Sequence, residues 1–337
     1  LWDLVAPGKL AGDDISVGEL VRRRVGGQVL ERVVDPLLAG SRAGDADDIS
    51  LAAAMPQLDA IARGSPSLIR GLGDARRDGT LPEGPPPFLG ISGGMQTLVD
   101  RLTSALTGVT VRTGAGAACI ESTSKDGYRV HLDDGSTVAA GGVVLATPAF
   151  AAAPILESLD PEAARHLYRI QYASSAVAVL VYPDGGENVP RSGSGFLVPS
   201  LDHKVLSACT WYSKKWPHAA PADGRLVLRC FVGRSGREAS LALDDDELIS
   251  LIDGEVKDAL GITERVQTWK LYRWERGLPH YRVGHRQLVE RIEAALAAHP
   301  GVAVAGAAYR GSGLPDCVRQ GYEAAARVAD LLTDTDG

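Results

Sequence analysis

Apolar side chains recur at helical spacing early in the chain. Val17, Leu20 and Val21 form one group, and Val29, Leu30, Val33 and Val34 a second. Steps of three and four place each group on one face of a helix. Asp14 or Ser16 supplies an N-cap, and Glu19, three residues after Ser16, completes a capping box. Gly26–Gly27 predicts a break into two helices, and PSLIRGLGDARR continues the helical pattern. Roughly the first 85 residues therefore read as helical, closed by the Pro- and Gly-rich boundary loop RRDGTLPEGPPPF.

The pattern then changes. SGGMQTLVDRLTSAL predicts a capped helix with Met95, Leu98, Val99, Leu102 and Leu106 on one face. GVTVRTGAGAACIES and GYRVHLDDGSTVAAGGVVLATPA predict short strands, with a hairpin turn at Asp134–Gly135 and a buried strand running up to Pro148. Strand and turn alternate from about 165 to 275, through SAVAVLVY, KVLSACTWY, GRLVLRCFVG and VQTWKLYRW. They are interrupted by the helix DDDELISLIDGEVKDALG, acidic at its start and stopped by Gly261. The tail reads helix (GHRQLVERIEAALAAHPG), strand (VAVAG), glycine turn (AYRGSGLPD) and helix (CVRQGYEAAARVADLL). The fold class is mixed α/β.

A length of 337 residues accommodates two domains. A net charge of -7 without a long basic run argues against nucleic-acid binding, while a local basic pocket for an anionic substrate stays open. Cys119, Cys209, Cys230 and Cys317 are widely spaced with no CxxC pair, which predicts reduced, mostly buried thiols in a cytoplasmic protein. No apolar run approaches the ~20 residues of a membrane span. A peripheral membrane contact and a homodimer remain compatible with the chain. It begins LWDLVAPGKL, at Leu1, and carries no signal-peptide pattern there.

The richest chemical signal is the C-terminal strand–turn–helix. Glycines at 306, 311 and 313 let backbone approach a ligand, and Pro315 sits in a first helical turn, where it removes no needed donor. A helix start aimed at such a ligand stabilises negative charge, such as that of a reduced flavin. The run VAGAAYRGSGLPDCVRQGYEAA resembles the C-terminal FAD motif of the protoporphyrinogen and coproporphyrinogen oxidase family, within the amine-oxidase group of flavoproteins. VLERVVDPLLAGSRAGD, FLGISGGMQTLVDRL, ACTWYSKKWPH and WERGLPHYRVGH resemble further family segments in the same order, so the likeness covers nearly the whole chain. Departures fall at Ser41–Arg42, where the family usually reads PLLAGVYAGD, and at Leu278–Tyr281, where it reads MPQY.

The resemblance implies FAD as cofactor, with Gly313, Leu314, Pro315 and Asp316 beside the flavin ring and Gly306 near the pyrophosphate. Ala117 takes a place where the family's backbone contacts the adenine, and Trp274 resembles a tryptophan beside the flavin. His280 and His285 are read as structural. Asp316 is in a position where an acid is commonly structural too. Asp244–Asp245–Asp246 reads as the solvated start of a helix, not a metal cluster. No catalytic residue or metal ligand stands out, and no nucleophile elbow, HExxH pair or P-loop occurs.

The implied reaction is six-electron oxidation of a colourless tetrapyrrole, with O2 as acceptor, and coproporphyrinogen III is favoured over protoporphyrinogen IX. Substrate propionates call for Arg or Lys partners that the sequence does not single out. The implied division is a helical substrate or membrane-side region over 1–85, FAD-domain segments over 86–160 and 284–337 with a parallel sheet, and a substrate domain with a mixed sheet over 161–283. The family's strand–GxGxxG–helix unit is absent from these residues, and GAGAAC at Gly114 has the wrong spacing. The 337 residues expressed alone are therefore expected to hold FAD poorly, to lack oxidase activity and to associate. Another flavoprotein of the amine-oxidase group, such as an amine oxidase or a carotenoid desaturase, is the alternative enzyme reading. A cofactor-free scaffold is the alternative outside catalysis.

Overall fold

The computed structural model describes residues 2–5, 8–42, 44–80, 89–123, 127–183, 189 and 193–334. Among the described residues ten strands form: β1 (Ala117–Ser122), β2 (Tyr128–Leu132), β3 (Thr137–Ala140), β4 (Val143–Leu145), β5 (Gln171–Tyr182), β6 (Gly195–Leu197), β7 (Leu206–Trp211), β8 (Leu226–Val232), β9 (Thr268–His280) and β10 (Val302–Val304). The chain divides into two compact units, one from Leu1–Ile49, Gln57–Val109 and Tyr172–Leu278, the other from Ser50–Pro56, Thr110–Gln171 and Pro279–Gly337.

In the first unit a five-stranded sheet runs in the order β6-β7-β8-β5-β9. Side chains alternate across it with period two. Ala176, Ala178, Leu180 and Tyr182 of β5 and Leu226, Leu228, Cys230 and Val232 of β8 point into one core, where they meet Leu248, Ile252 and Val256 of the helix Asp245–Leu260. That helix starts where the acidic run predicted. Asp244 accepts from the Glu247 N–H at 2.8 Å, Asp245 pairs with Arg273, and Gly261 closes the end in the left-handed region at φ 66°. The sheet expected over 161–283 to be mixed pairs antiparallel at β6–β7, β7–β8 and β8–β5.

The first unit also holds the N-terminal helices. Ser16 caps Val17–Arg24 by accepting from the Glu19 N–H at 3.0 Å. Gly26, at φ 96°, makes the predicted break. Beyond it, Leu30–Val34 forms a π-helical turn before the helix Asp35–Arg42. The wider turn rotates the apolar stripe, so Leu30 is buried while Val29 and Val33 face outward. Spacing alone counted all of these on one face. Asp35, buried, accepts from Arg234 at 3.0 Å and from the Ser200 hydroxyl at 2.6 Å. The helix over Gln96–Ala105 forms, but Met95 at its N-cap makes no side-chain cap, and Val99 and Leu102 are exposed. The cap expected there fails because methionine offers only a weakly accepting thioether to the free N–H groups. Residues 81–88 of the boundary loop lie outside the described residues.

In the second unit β1, β2 and β3 form an antiparallel meander, turning at Asp134–Gly135 as predicted. The strand expected over GVTVR does not form, and pairing starts only at Ala117. β4 and β10 pair in parallel, Val143 with Val302 and Leu145 with Val304. Helices Ala149–Leu156 and Pro161–Leu167 follow β4. The first of these is almost wholly apolar and carries Pro154, so it showed no amphipathic period. Among the described residues no helix is long and apolar enough to cross a membrane.

Candidate functional site

The two parallel strands deliver their carboxyl ends to one place. After β4 come Ala146, Thr147 and Pro148, all exposed, and after β10 comes Gly306. The Ala305 N–H bonds to the Leu145 carbonyl at 3.0 Å, which extends the pairing by one step. Gly306 has φ 122°, and a Cβ there would come within 3.9 Å of the Ala146 oxygen. Carboxyl ends of parallel strands are where α/β sheets bind ligands.

Beyond Gly306 a glycine loop leads into the helix Leu314–Asp334. Gly311 lies at φ 115°, and a Cβ on it would meet the Asp316 carboxylate at 2.5 Å. A Cβ on Gly313 would approach the same carboxylate at 3.2 Å. Both glycines thus make room for Asp316, whose side chain packs back under the loop.

A hidden frame holds this loop. The Tyr281 hydroxyl accepts from the Gly311 N–H at 2.9 Å and donates to the Ala307 carbonyl at 2.7 Å. Its ring stacks on His285 at 3.9 Å. His285 Nε2 donates to the Tyr309 carbonyl at 3.0 Å, since a carbonyl can only accept. Gln320, buried, accepts from the Arg310 N–H and donates to the carbonyls of Gly311 and Asp316. Arg310 is clamped by Glu293 at 2.8 Å, and that hydrogen bond raises its pKa further. Burial, with the Asp316 charge second, pushes the Cys317 thiol up, away from thiolate chemistry.

The helix start is left open. The Cys317 N–H already closes onto the Gly313 carbonyl at 2.9 Å. Helix geometry leaves the N–H groups of Leu314 and Asp316 without an intrahelical acceptor, and Leu314 is 58 % exposed. Pro315 has no N–H to satisfy. Backbone donors, a positive dipole end and glycine-thinned approaches suit an electron-rich, planar cofactor, so these residues fit a flavin.

Of the residues singled out by sequence, Gly306, Gly313, Leu314, Pro315 and Asp316 come together in this loop. Ala117 lies exposed at the start of β1, beside a bulge between Ala117 and Cys119. Trp274 belongs to the first unit, on β9, 57 % exposed. There it lines an open cavity of about 350 Å³ with Tyr272, Tyr212, Val177, Val179, Val227, Ala219 and Arg229. Sequence reading missed this wall. Strand alternation could have found it, because Val177, Val179, Val227 and Arg229 all fall on the parity opposite to the core. The role of Tyr281 was also missed, although it sits in a segment already noted. Cys209 and Cys230, distant in sequence, are cross-strand neighbours with sulfurs 3.8 Å apart. All four cysteines are free thiols.

Residues 4–329 match the family model described as flavin containing amine oxidoreductase. The chain is 36 % identical over 336 residues to coproporphyrinogen III oxidase of Bacillus subtilis (strain 168), covering 98 % of this chain and 70 % of that protein. A crystal structure from Exiguobacterium, named for protoporphyrinogen oxidase, aligns with TM-score 0.81 and 30 % identity, over 98 % of this chain and 70 % of that one. Reduced UDP-galactopyranose mutase shares the fold at TM-score 0.71 and 17 % identity, over 96 % of this chain and 70 % of its own. With the parallel pair, the glycine loop and the open helix start, these likenesses settle the family: the chain belongs to the flavin-containing amine oxidoreductases.

Proposed function

We propose that this protein oxidises a porphyrinogen to the porphyrin in heme biosynthesis, with coproporphyrinogen III preferred to protoporphyrinogen IX and O2 as final electron acceptor. The observation that carries the reading is the 36 % identity, over 98 % of the chain, to a relative named coproporphyrinogen III oxidase. The cavity on the sheet of the first unit supports it. An aromatic and aliphatic wall of Trp274, Tyr272, Tyr212 and Val179 suits a broad apolar ring system.

FAD is the cofactor, and when bound it supplies the two-electron acceptor that the reaction requires. In this proposal Gly306, Gly313, Leu314, Pro315 and Asp316 hold it through backbone groups, together with Ala117. The work of the chain's own residues is binding and electrostatics. The start of the 314–334 helix favours negative charge where the cofactor gains electrons. The Tyr281, His285 and Gln320 frame keeps those donors in place before any ligand arrives.

The test is an aerobic assay of the flavin-loaded enzyme with coproporphyrinogen and with protoporphyrinogen. Porphyrin fluorescence should develop with both, faster with the four-carboxylate compound, with hydrogen peroxide released. No fluorescence from either, with turnover of an amine instead, would move the assignment to another branch of the family. A preference for protoporphyrinogen would reverse the substrate order alone.

A further inference from the structure

Strand alternation that builds the apolar wall also delivers a cation to it. On β8, Leu228 and Cys230 go to the core, and Arg229 between them goes to the cavity. Its cross-strand neighbours are Val179 on β5 and Thr210 on β7, both uncharged. A carboxylate directly opposite on a neighbouring strand would stabilise such an arginine. Among the described residues none is paired with Arg229, and its guanidinium instead lies 5.2 Å from the centre of the Phe231 ring. Lys270 on β9 lies over the ring of Tyr272, itself a cavity residue, at 5.2 Å. Among the described residues no aspartate or glutamate lines the cavity. The wall therefore combines aromatic surface with unspent positive charge, in a chain whose net charge is -7.

We propose that Arg229, assisted by Lys270, binds a carboxylate on the rim of the tetrapyrrole while the Trp274 and Tyr272 side of the wall takes its ring. The proposal rests on the porphyrinogen reading above and selects the basic partners that the sequence alone could not. A guanidinium takes a carboxylate in a two-pronged, charge-assisted bond, which an ester cannot reproduce. Arg229 therefore sets a preference for the free acid over its ester.

The experiment uses the flavin-loaded enzyme, with coproporphyrinogen and its tetramethyl ester as substrates, and coproporphyrin binding followed separately by fluorescence. Arg229→Gln should raise KM for the acid at least about tenfold, the loss expected when a charge-assisted pair is removed. It should change kcat little and leave the ester unaffected. Coproporphyrin binding should weaken to a similar degree. Arg229→Lys should recover much of the loss, and Lys270→Gln should show a smaller effect in the same direction. Wild-type values for acid KM and coproporphyrin binding in Arg229→Gln overturn the proposal. Equal weakening of acid and ester also overturns it, because that reports a change of shape, not of charge. A failure of the porphyrinogen reading looks different: the wild-type enzyme itself then neither oxidises coproporphyrinogen nor binds coproporphyrin, and the anchor falls with it.

Discussion

One phenolic oxygen, that of Tyr281, satisfies two backbone groups of the glycine loop at 2.9 and 2.7 Å. Tyr281→Phe keeps the ring on His285 and deletes that oxygen, leaving the Gly311 N–H and Ala307 carbonyl without it. The expected cost is about 1–3 kcal/mol of stability, read as a lowered unfolding midpoint. An unchanged midpoint would show that water or another group replaces the hydroxyl. Asp35 offers a pH test. Burial pushes its carboxyl up, but hydrogen bonds from Arg234 and Ser200, and the Arg234 charge, more than offset this and hold it below the ordinary carboxylate value. A lowered folded pKa means that the contribution is complete above the unfolded value. It is lost as pH falls through the lower, folded value. Stability should therefore drop below about pH 4, and Asp35→Asn should flatten that part of the acid limb while lowering stability at neutral pH. Neither residue was legible as structural in the sequence. Asp35 bonds to Ser200 and Arg234, 165 and 199 residues away, and no local pattern encodes such a partner.

Elements were legible where one face had to be buried. β5, β8 and the 245–260 helix each carry a clean period, because that helix covers one side of the sheet while the opposite side of β5 and β8 lines the cavity. Packing at this junction makes Ile252, fully buried, a sensitive position. Ile252→Ala should cost about 2–5 kcal/mol through lost burial and the cavity left behind, measured by chemical denaturation with an unchanged slope. A loss below about 1 kcal/mol would mean that the core collapses around the gap. Elements were illegible where periodicity was absent or altered. The Ala149–Leu156 helix shows no polar face, and the π-helical turn at Leu30–Val34 rotated a stripe that ordinary helical counting placed correctly only as far as Gly26. The candidate site was legible as a loop, since glycine and proline positions mark it, but not as a frame. Tyr281, His285 and Gln320 act across the chain from 281 to 320 through groups that no spacing rule connects.

Each unit draws on three separate stretches of chain, so neither follows from a single cut in the sequence. Each nevertheless has its own buried cluster. The first unit has the sheet-and-helix core around Leu228 and Ile252, and the second buries Leu156, Leu167, Val289 and Ile292 as well as the cluster of Ala303, Ala305, Ala324 and Val328. Separate cores predict departure from two-state unfolding. Calorimetry should resolve two transitions, with a calorimetric enthalpy larger than the van't Hoff value for either. Ile252→Ala and Tyr281→Phe then serve as labels, one in each unit. The first should lower one midpoint and the second the other, each by about 2–4 °C per kcal/mol lost. A single transition that both substitutions move alike would show that the two cores melt as one cooperative body, and the assignment of separate stabilities to the units would be wrong.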